Sequence, residues 1–254
     1  LKSAKSYGES ILIIPGCEIT RNPITIGHYN ALFTTDNNTI YDPDPMQALR
    51  NAKKQGALIT HNHPGWSRKS CDMTEFEIQA YGEGLIDGVE IMNGFWFYPK
   101  TMQRCVENNL YMLGCTDIHA QTNIYRHNGC FRTMTLIFAK ENTLKAIRKA
   151  MEKRMTLAYS AGNIAGDAKL LQDFFKASVS CKFLSRNKKG AVYALTNSTS
   201  IGYKLRIGKR VLELPAFETI TISVSKDKEG NDKDVEFYVA NMWEVGYNNP
   251  KITF

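Results

Sequence analysis

The sequence predicts an α/β protein built on a parallel sheet, followed by a small antiparallel β unit. Two observations carry this reading. Over the first two-thirds of the chain, short apolar runs alternate with segments that carry helical caps and helical spacing, the order that builds parallel sheets, either barrel or doubly wound. Past roughly Ser178 helical spacing stops, and short alternating strands are separated by turns rich in Gly, Asn, Lys and Asp, notably Lys226 to Lys233. That texture is typical of a small β-sandwich. The boundary between the two is placed at 177/178.

Each element has its own signal. Ile11 to Ile14 is an apolar run halted by Pro15-Gly16 and reads as a buried strand. His28 to Thr34 reads as a second strand. Asp44 is placed as an N-cap with Pro45 at the first helical position, and Gly56 closes that helix. Ala57 to Thr60 is a strand ending in His61-Asn62-His63-Pro64-Gly65, and Thr74-x-x-Glu77 is a capping box that opens a helix to about Gly84. Val89 to Met92 is a strand, Pro99 opens a helix to about Asn109, and Leu110 to Leu113 is a strand ending in Gly114-Cys115-Thr116-Asp117-Ile118-His119. Thr133 to Ala139 and Thr156 to Ser160 are strands flanking an amphipathic helix marked by Leu144, Ile147 and Met151. In the tail, strands are expected at 191–196, 203–207, 210–214, 220–224 and 235–240.

Composition excludes several classes. With 254 residues, 43% hydrophobic and 22% charged, the chain has the make-up of a globular protein rather than a disordered one. No apolar run is long enough to span a bilayer, and Leu1 to Lys5 lacks the apolar stretch of a signal peptide. The six cysteines form no CxxC pair, so neither a zinc finger nor a small disulfide scaffold is indicated, and most are expected to be buried small hydrophobes. The net charge of +7 suits an anionic substrate, but it is dispersed and nucleic acid is not indicated.

The chemistry lies at strand ends. Side chains at i and i+2 of an extended segment face the same way, so Asp117 and His119 are expected to project together, as are His61 and His63. Glu18 follows one strand directly and His28 begins another. Four of the five histidines, all but His127, occupy such positions. Imidazoles and carboxylates converging on one rim suit Zn, Mn or Fe, and paired ions of this kind serve phosphate ester hydrolysis. Cys115 points the same way and is read as a small filler beside the site. Arg21 and Arg126 flank the expected ligands and are candidates for phosphate contacts. The aromatic run Phe95-Trp96-Phe97-Tyr98 follows another strand end, where Trp96 and Tyr98 are candidates to wall the pocket, and core packing explains Phe95 and Phe97 equally well.

The stretches "IIPGCEIT", "GHYNALF", "HNHPGW" and "GCTDIHA", over about residues 8 to 165, resemble the later motifs of the PHP family (polymerase and histidinol phosphatase). The resemblance implies a distorted, TIM-like (βα)7 barrel with two to three divalent ions at its C-terminal rim, acting as a bacterial phosphoesterase. It places metal ligands at Glu18, His28, His63, Asp117 and His119. Glu18, His63, Asp117 and His119 are also the expected catalytic residues, and His61, Arg21 and Arg126 the expected substrate-binding ones. The tail resembles a small β domain appended in a subset of such proteins. The family's opening HxH strand and its second Asp/His motif have no counterpart before Glu18, so the N-terminal strands of the barrel are expected to be missing. Residues 1–254 alone are therefore expected to bind metal weakly and to hydrolyse little. The expected substrate is a small phosphorylated compound or a phosphodiester. A non-catalytic scaffold and a metal-dependent amidohydrolase are the alternatives. The compartment stays open, with the periplasm one reading.

Overall fold

The computed structural model of the protein describes residues 11–119, 126, 127, 130–188, 190–231 and 233–254. The chain divides into two compact units, Leu1–Ala161 and Gly162–Phe254.

The first unit is organised by a six-stranded sheet. Its strands are β1 (Gly16–Thr20), β2 (His28–Leu32), β3 (Leu58–Asn62), β4 (Gly88–Asn93), β5 (Trp96–Phe97) and β6 (Tyr111–Cys115), in the order β1-β2-β3-β4-β5 with β6 also paired to β4. The sheet is mixed rather than parallel throughout. The pairs β1-β2, β2-β3 and β4-β5 are antiparallel, while β3-β4 and β4-β6 are parallel. Residues 21–27 join β1 to β2, and a parallel crossover needs roughly a dozen or more. The first strand is also displaced from its expected place. Residues 11–14 form no ladder, and Gly16 opens β1 instead of ending it. A Cβ on Gly16 would stand 2.6 Å from the Ala31 carbonyl oxygen, so the close strand approach there requires glycine.

β3 and β4 are buried along their whole length, which explains their near-continuous apolar character. Helices α1 (Pro45–Lys54), α2 (Glu75–Gly82) and α3 (Lys100–Glu107) lie between the strands, as expected. Asp44 caps α1 through the Met46 N–H, and Thr74 and Glu77 form the reciprocal capping box of α2. After β6, β7 (Arg126–His127) pairs with β8 (Cys130–Phe131), and β9 (Met134–Ile137) pairs antiparallel with β10 (Thr156–Ser160) across α4 (Leu144–Glu152).

In the second unit, β11 (Asn163–Ala165) is followed by α5 (Ala168–Ser178). This helix went unread in the sequence, although Asp167 is an N-cap and Leu171 and Phe175 mark its buried face. Phe175 packs against Tyr203, Phe237 and Phe254, so α5 belongs with the tail, and the units part at 161/162 rather than at 177/178. The rest is two antiparallel sheets. One is β12 (Val179–Asn187), β13 (Gly190–Asn197) and β16 (Thr219–Ser225). The other has the order β15 (Arg210–Leu214), β14 (Tyr203–Ile207), β17 (Glu236–Val239) and β19 (Lys251–Thr253). β18 (Met242–Trp243) runs parallel to β11. Among the described residues no helix is long and apolar enough to cross a membrane.

One buried ion network secures the first unit. Glu77 is fully buried and accepts from the Thr74 N–H at 3.0 Å and from Arg68 Nη2 at 2.5 Å, with His61 Nε2 at 3.2 Å. Arg68 also donates Nε to the Pro23 carbonyl at 2.7 Å, joining three segments distant in sequence. Burial raises the Glu77 carboxyl, but hydrogen bonds from His61 and Arg68 outweigh it and hold the group at about 2. His61 stays neutral because burial disfavours its charge. Removing Glu77 would strand the Arg68 guanidinium, whose side chain is 8% exposed. Glu77→Ala is therefore expected to cost about 3–5 kcal/mol in urea unfolding at pH 7. Because the folded carboxyl titrates below its ordinary 4.5, its stabilisation is complete above that pH and is lost as pH falls towards about 2. Across that window the stability of Glu77→Ala should fall less steeply than that of the wild type.

Candidate metal centre

The register of β1, β2 and β3 fixes which side chains share a face. Thr20 pairs with His28 and His28 with Asn62, while Glu18 pairs with Asn30 and Asn30 with Thr60. Glu18 and His28 therefore face the same way as diagonal neighbours. Glu18 lies inside β1 rather than beyond a strand end. Tyr29 and His61, partners in the same ladder, face the opposite way, and their rings stack at 5.1 Å.

An extended backbone would turn His63 towards the face of His61. Instead β3 ends at Asn62, and His63 adopts φ 28°, in left-handed backbone. Its ring then comes back to His28, at 4.9 Å between centroids. The turn has two anchors. The His63 N–H donates to Glu90 Oε2 at 2.9 Å, and the His63 carbonyl accepts from the Trp66 N–H at 2.8 Å. Gly65 lies between them against Tyr98 and Cys71, where a Cβ would meet atoms at 2.8–2.9 Å.

Among the described residues, Glu18, His28 and His63 form a group whose ligand atoms all lie within 4.8 Å of one another. Bonds of about 2.0–2.1 Å to a tetrahedral zinc would set neighbouring ligand atoms roughly 3.3 Å apart, so small rotations would close the set. His28 shows the fit most directly. Its Nε2 lies 3.0 Å from the Arg21 carbonyl, which only accepts, so Nε2 carries a proton. Its Nδ1 then faces Glu18 Oε1 at 2.9 Å. A ring nitrogen and a carboxylate oxygen placed so can both turn to one cation. A backbone carbonyl holding the remote nitrogen is also the usual outer support of a metal-binding imidazole. Burial lowers the pKa of His63, which favours the neutral ring that a ligand requires.

Asp117 stands next to this group, with Oδ2 3.9 Å from His63 Nε2. β6 has ended at Cys115, and Asp117 has φ 54°, so the expected i, i+2 alignment with His119 does not form. The His119 side chain is 80% exposed, with Nδ1 donating to the Asp117 carbonyl at 2.8 Å. The structure thus gathers three of the five expected ligands, sets a fourth at their edge and leaves His119 outside the group.

No protein-family model matches the chain, and no curated protein does either. Among solved structures, the crystal structure of a two-domain protein from Bacteroides vulgatus ATCC 8482, containing a predicted PHP-like metal-dependent phosphoesterase, is 35% identical to it. The TM-score is 0.89, and the match covers 100% of this chain and 77% of that one. This chain belongs to the PHP-like family.

The residues expected at the PHP-like site for substrate contact are placed differently. His61 is 0% exposed on the far face of the sheet, with Nδ1 3.0 Å from the Tyr81 hydroxyl and Nε2 3.2 Å from Glu77, so it is not on the rim. The Arg21 guanidinium donates to the Asp42 carbonyl at 2.7 Å and the Thr20 carbonyl at 3.1 Å and lies over Tyr41; what Arg21 gives the site is its carbonyl. The Arg126 side chain lies outside the described residues. Trp96 and Phe95 are exposed, while Tyr98 is buried.

Sequence reasoning missed Glu90, whose signal was a lone charge in the middle of an apolar strand. Its carboxyl accepts from the His63 N–H and the Asn93 amide, each at 2.9 Å, and Cys115 hydrogen-bonds to it as well. Burial raises the Glu90 pKa, and burial likewise pushes the Cys115 thiol well up, in keeping with a filler rather than a thiolate ligand. A carboxyl held towards its neutral form is mimicked by an amide. Glu90→Gln should therefore change stability by less than about 1 kcal/mol, whereas Glu90→Leu leaves the His63 N–H unpaired and should cost about 1–3 kcal/mol. Chemical denaturation of both variants checks the contrast.

Proposed function

We propose that the chain is a metal-dependent hydrolase of phosphate esters, with the metal held by Glu18, His28 and His63. The observation that supports it best is the His28 ring, with Nε2 3.0 Å from the Arg21 carbonyl and Nδ1 2.9 Å from Glu18 Oε1, within reach of His63. The Bacteroides relative's description as a predicted PHP-like metal-dependent phosphoesterase supports the same reading. The full proposal is a (βα)7-type barrel carrying two to three Zn, Mn or Fe ions, with Asp117 and His119 completing the ligand set and a small phosphorylated compound or phosphodiester as substrate.

Ions bound there would polarise the phosphoryl oxygens and lower the pKa of an attacking water. The chain's own residues do the rest. Glu18 and the imidazole nitrogens of His28 and His63 would hold the charge in place, and Glu90 fixes the main chain of His63. Asp117, 3.9 Å from His63 Nε2, is near enough to join after a modest rotation. His119 has its Nδ1 proton on the Asp117 carbonyl, which leaves Nε2 open to bind or to carry a proton to a leaving oxygen.

Metal analysis of the purified protein tests the proposal. Bound Zn, Mn or Fe is expected, with affinity lowered in Glu18→Gln and His28→Ala by at least the roughly 10–100-fold that the loss of an outer support costs. Hydrolysis of p-nitrophenyl phosphate or bis-p-nitrophenyl phosphate, however slow, should stop with chelator and return with metal. Absence of bound metal would favour a scaffold, and cleavage of amides alone an amidohydrolase.

A further inference from the structure

Trp66 packs against two members of the candidate metal group. Its indole lies 5.4 Å from the His28 ring and 5.3 Å from the His63 ring, at interplanar angles of 54° and 72°. It is nevertheless 48% exposed. Its main chain is anchored, because the Trp66 N–H closes the turn on the His63 carbonyl and Pro64 and Gly65 lie between. A large apolar ring is thus fixed at the mouth of a charged cluster, half packed on its ligands and half open to water.

We propose that Trp66 sets the specificity of this site and that its substrate class is a phosphate ester with a flat ring close to phosphorus. The inference rests on the phosphoesterase reading and adds the substrate class to it. A phosphoryl group held at Glu18, His28 and His63 carries its ester group outward beside the indole, whose centroid is little more than 5 Å from both imidazoles. A planar ring attached there covers the open half of the indole, while a short alkyl group leaves it wet. Indole suits the task because it offers a wide flat surface and loses little rotamer entropy on contact.

Phosphonates are the probe, since they present the same anion without turnover. Calorimetric titration of the metal-loaded protein is expected to show phenylphosphonate binding roughly three- to tenfold tighter than n-butylphosphonate, the range of an aromatic pair. Trp66→Leu should erase the difference between the two ligands and Trp66→Phe should keep most of it, with metal content measured in each variant. Equal affinity of both phosphonates for the wild type would overturn the inference and leave the phosphoesterase reading intact. So would a phenyl preference that survives in metal-loaded Trp66→Leu. If Trp66→Leu instead lowers metal affinity and leaves the phenyl preference unchanged, the indole only packs the ligands and the inference also fails. Failure of the metal-loaded wild type to bind either phosphonate would overturn both readings together.

Discussion

The backbone of His63 cannot be extended if its ring is to join Glu18 and His28, and the hydrogen bond from its N–H to the Glu90 carboxyl is what holds it otherwise. Alternation along β3 alone would send His63 to the side of His61, against α2 and away from the cluster. Left-handed backbone is costly for a residue other than glycine, and such conformations persist where the surroundings fix them. Here the strand ladder ends one residue earlier, Glu90 takes the N–H, and Trp66 takes the carbonyl. The ligand group therefore depends on a buried carboxyl that holds the main chain of one ligand.

The two faces of the sheet have different tasks. On one lie Glu18 and His28, with Glu90 and Cys115 following in the β4–β6 ladder. Farther along the same side Leu58, Tyr111, Leu113 and Met151 form an apolar cluster that gives the polar end a solid base. On the other face Tyr29 and His61 meet α2, where Arg68 and Glu77 form a buried ion pair. The segment between His63 and Thr74 is pinned at its start by Glu90 and near its end by Glu77. Removing solvent from this pair makes its geometry demanding, and the bond from Arg68 to the Pro23 carbonyl extends the constraint to the β1–β2 turn. That turn carries Arg21, whose carbonyl orients His28, so the buried network lies one connection away from the ligand group.

Local signals were readable because they depend on a few adjacent residues. Asp44 before Pro45 and the Thr74–Glu77 box gave helix starts that hold in the structure. The strands at 203–207 and 210–214 hold at the same residues, from alternation and turn composition alone. α5 was missed although its cap and apolar spacing were present, and β12 was missed although Val179, Cys181 and Phe183 alternate along it, because most of the strand is exposed. The mixed sheet was not legible, since strand direction depends on where the connection lets the chain return.

By itself the sequence determined the α/β order, the helix caps, the β-rich tail and the short list of histidines and carboxylates able to bind metal. These follow from composition and from spacing within single elements. Tertiary structure decided which of them meet. It put His61 behind the sheet, set Arg21 to work through its carbonyl and left His119 in solvent. It also brought Glu90 and Trp66, unremarkable in sequence, against His63. The reason is that a site is assembled from faces of different strands. Cross-strand register and two left-handed residues determine those faces, and neither is encoded in the spacing of any one segment.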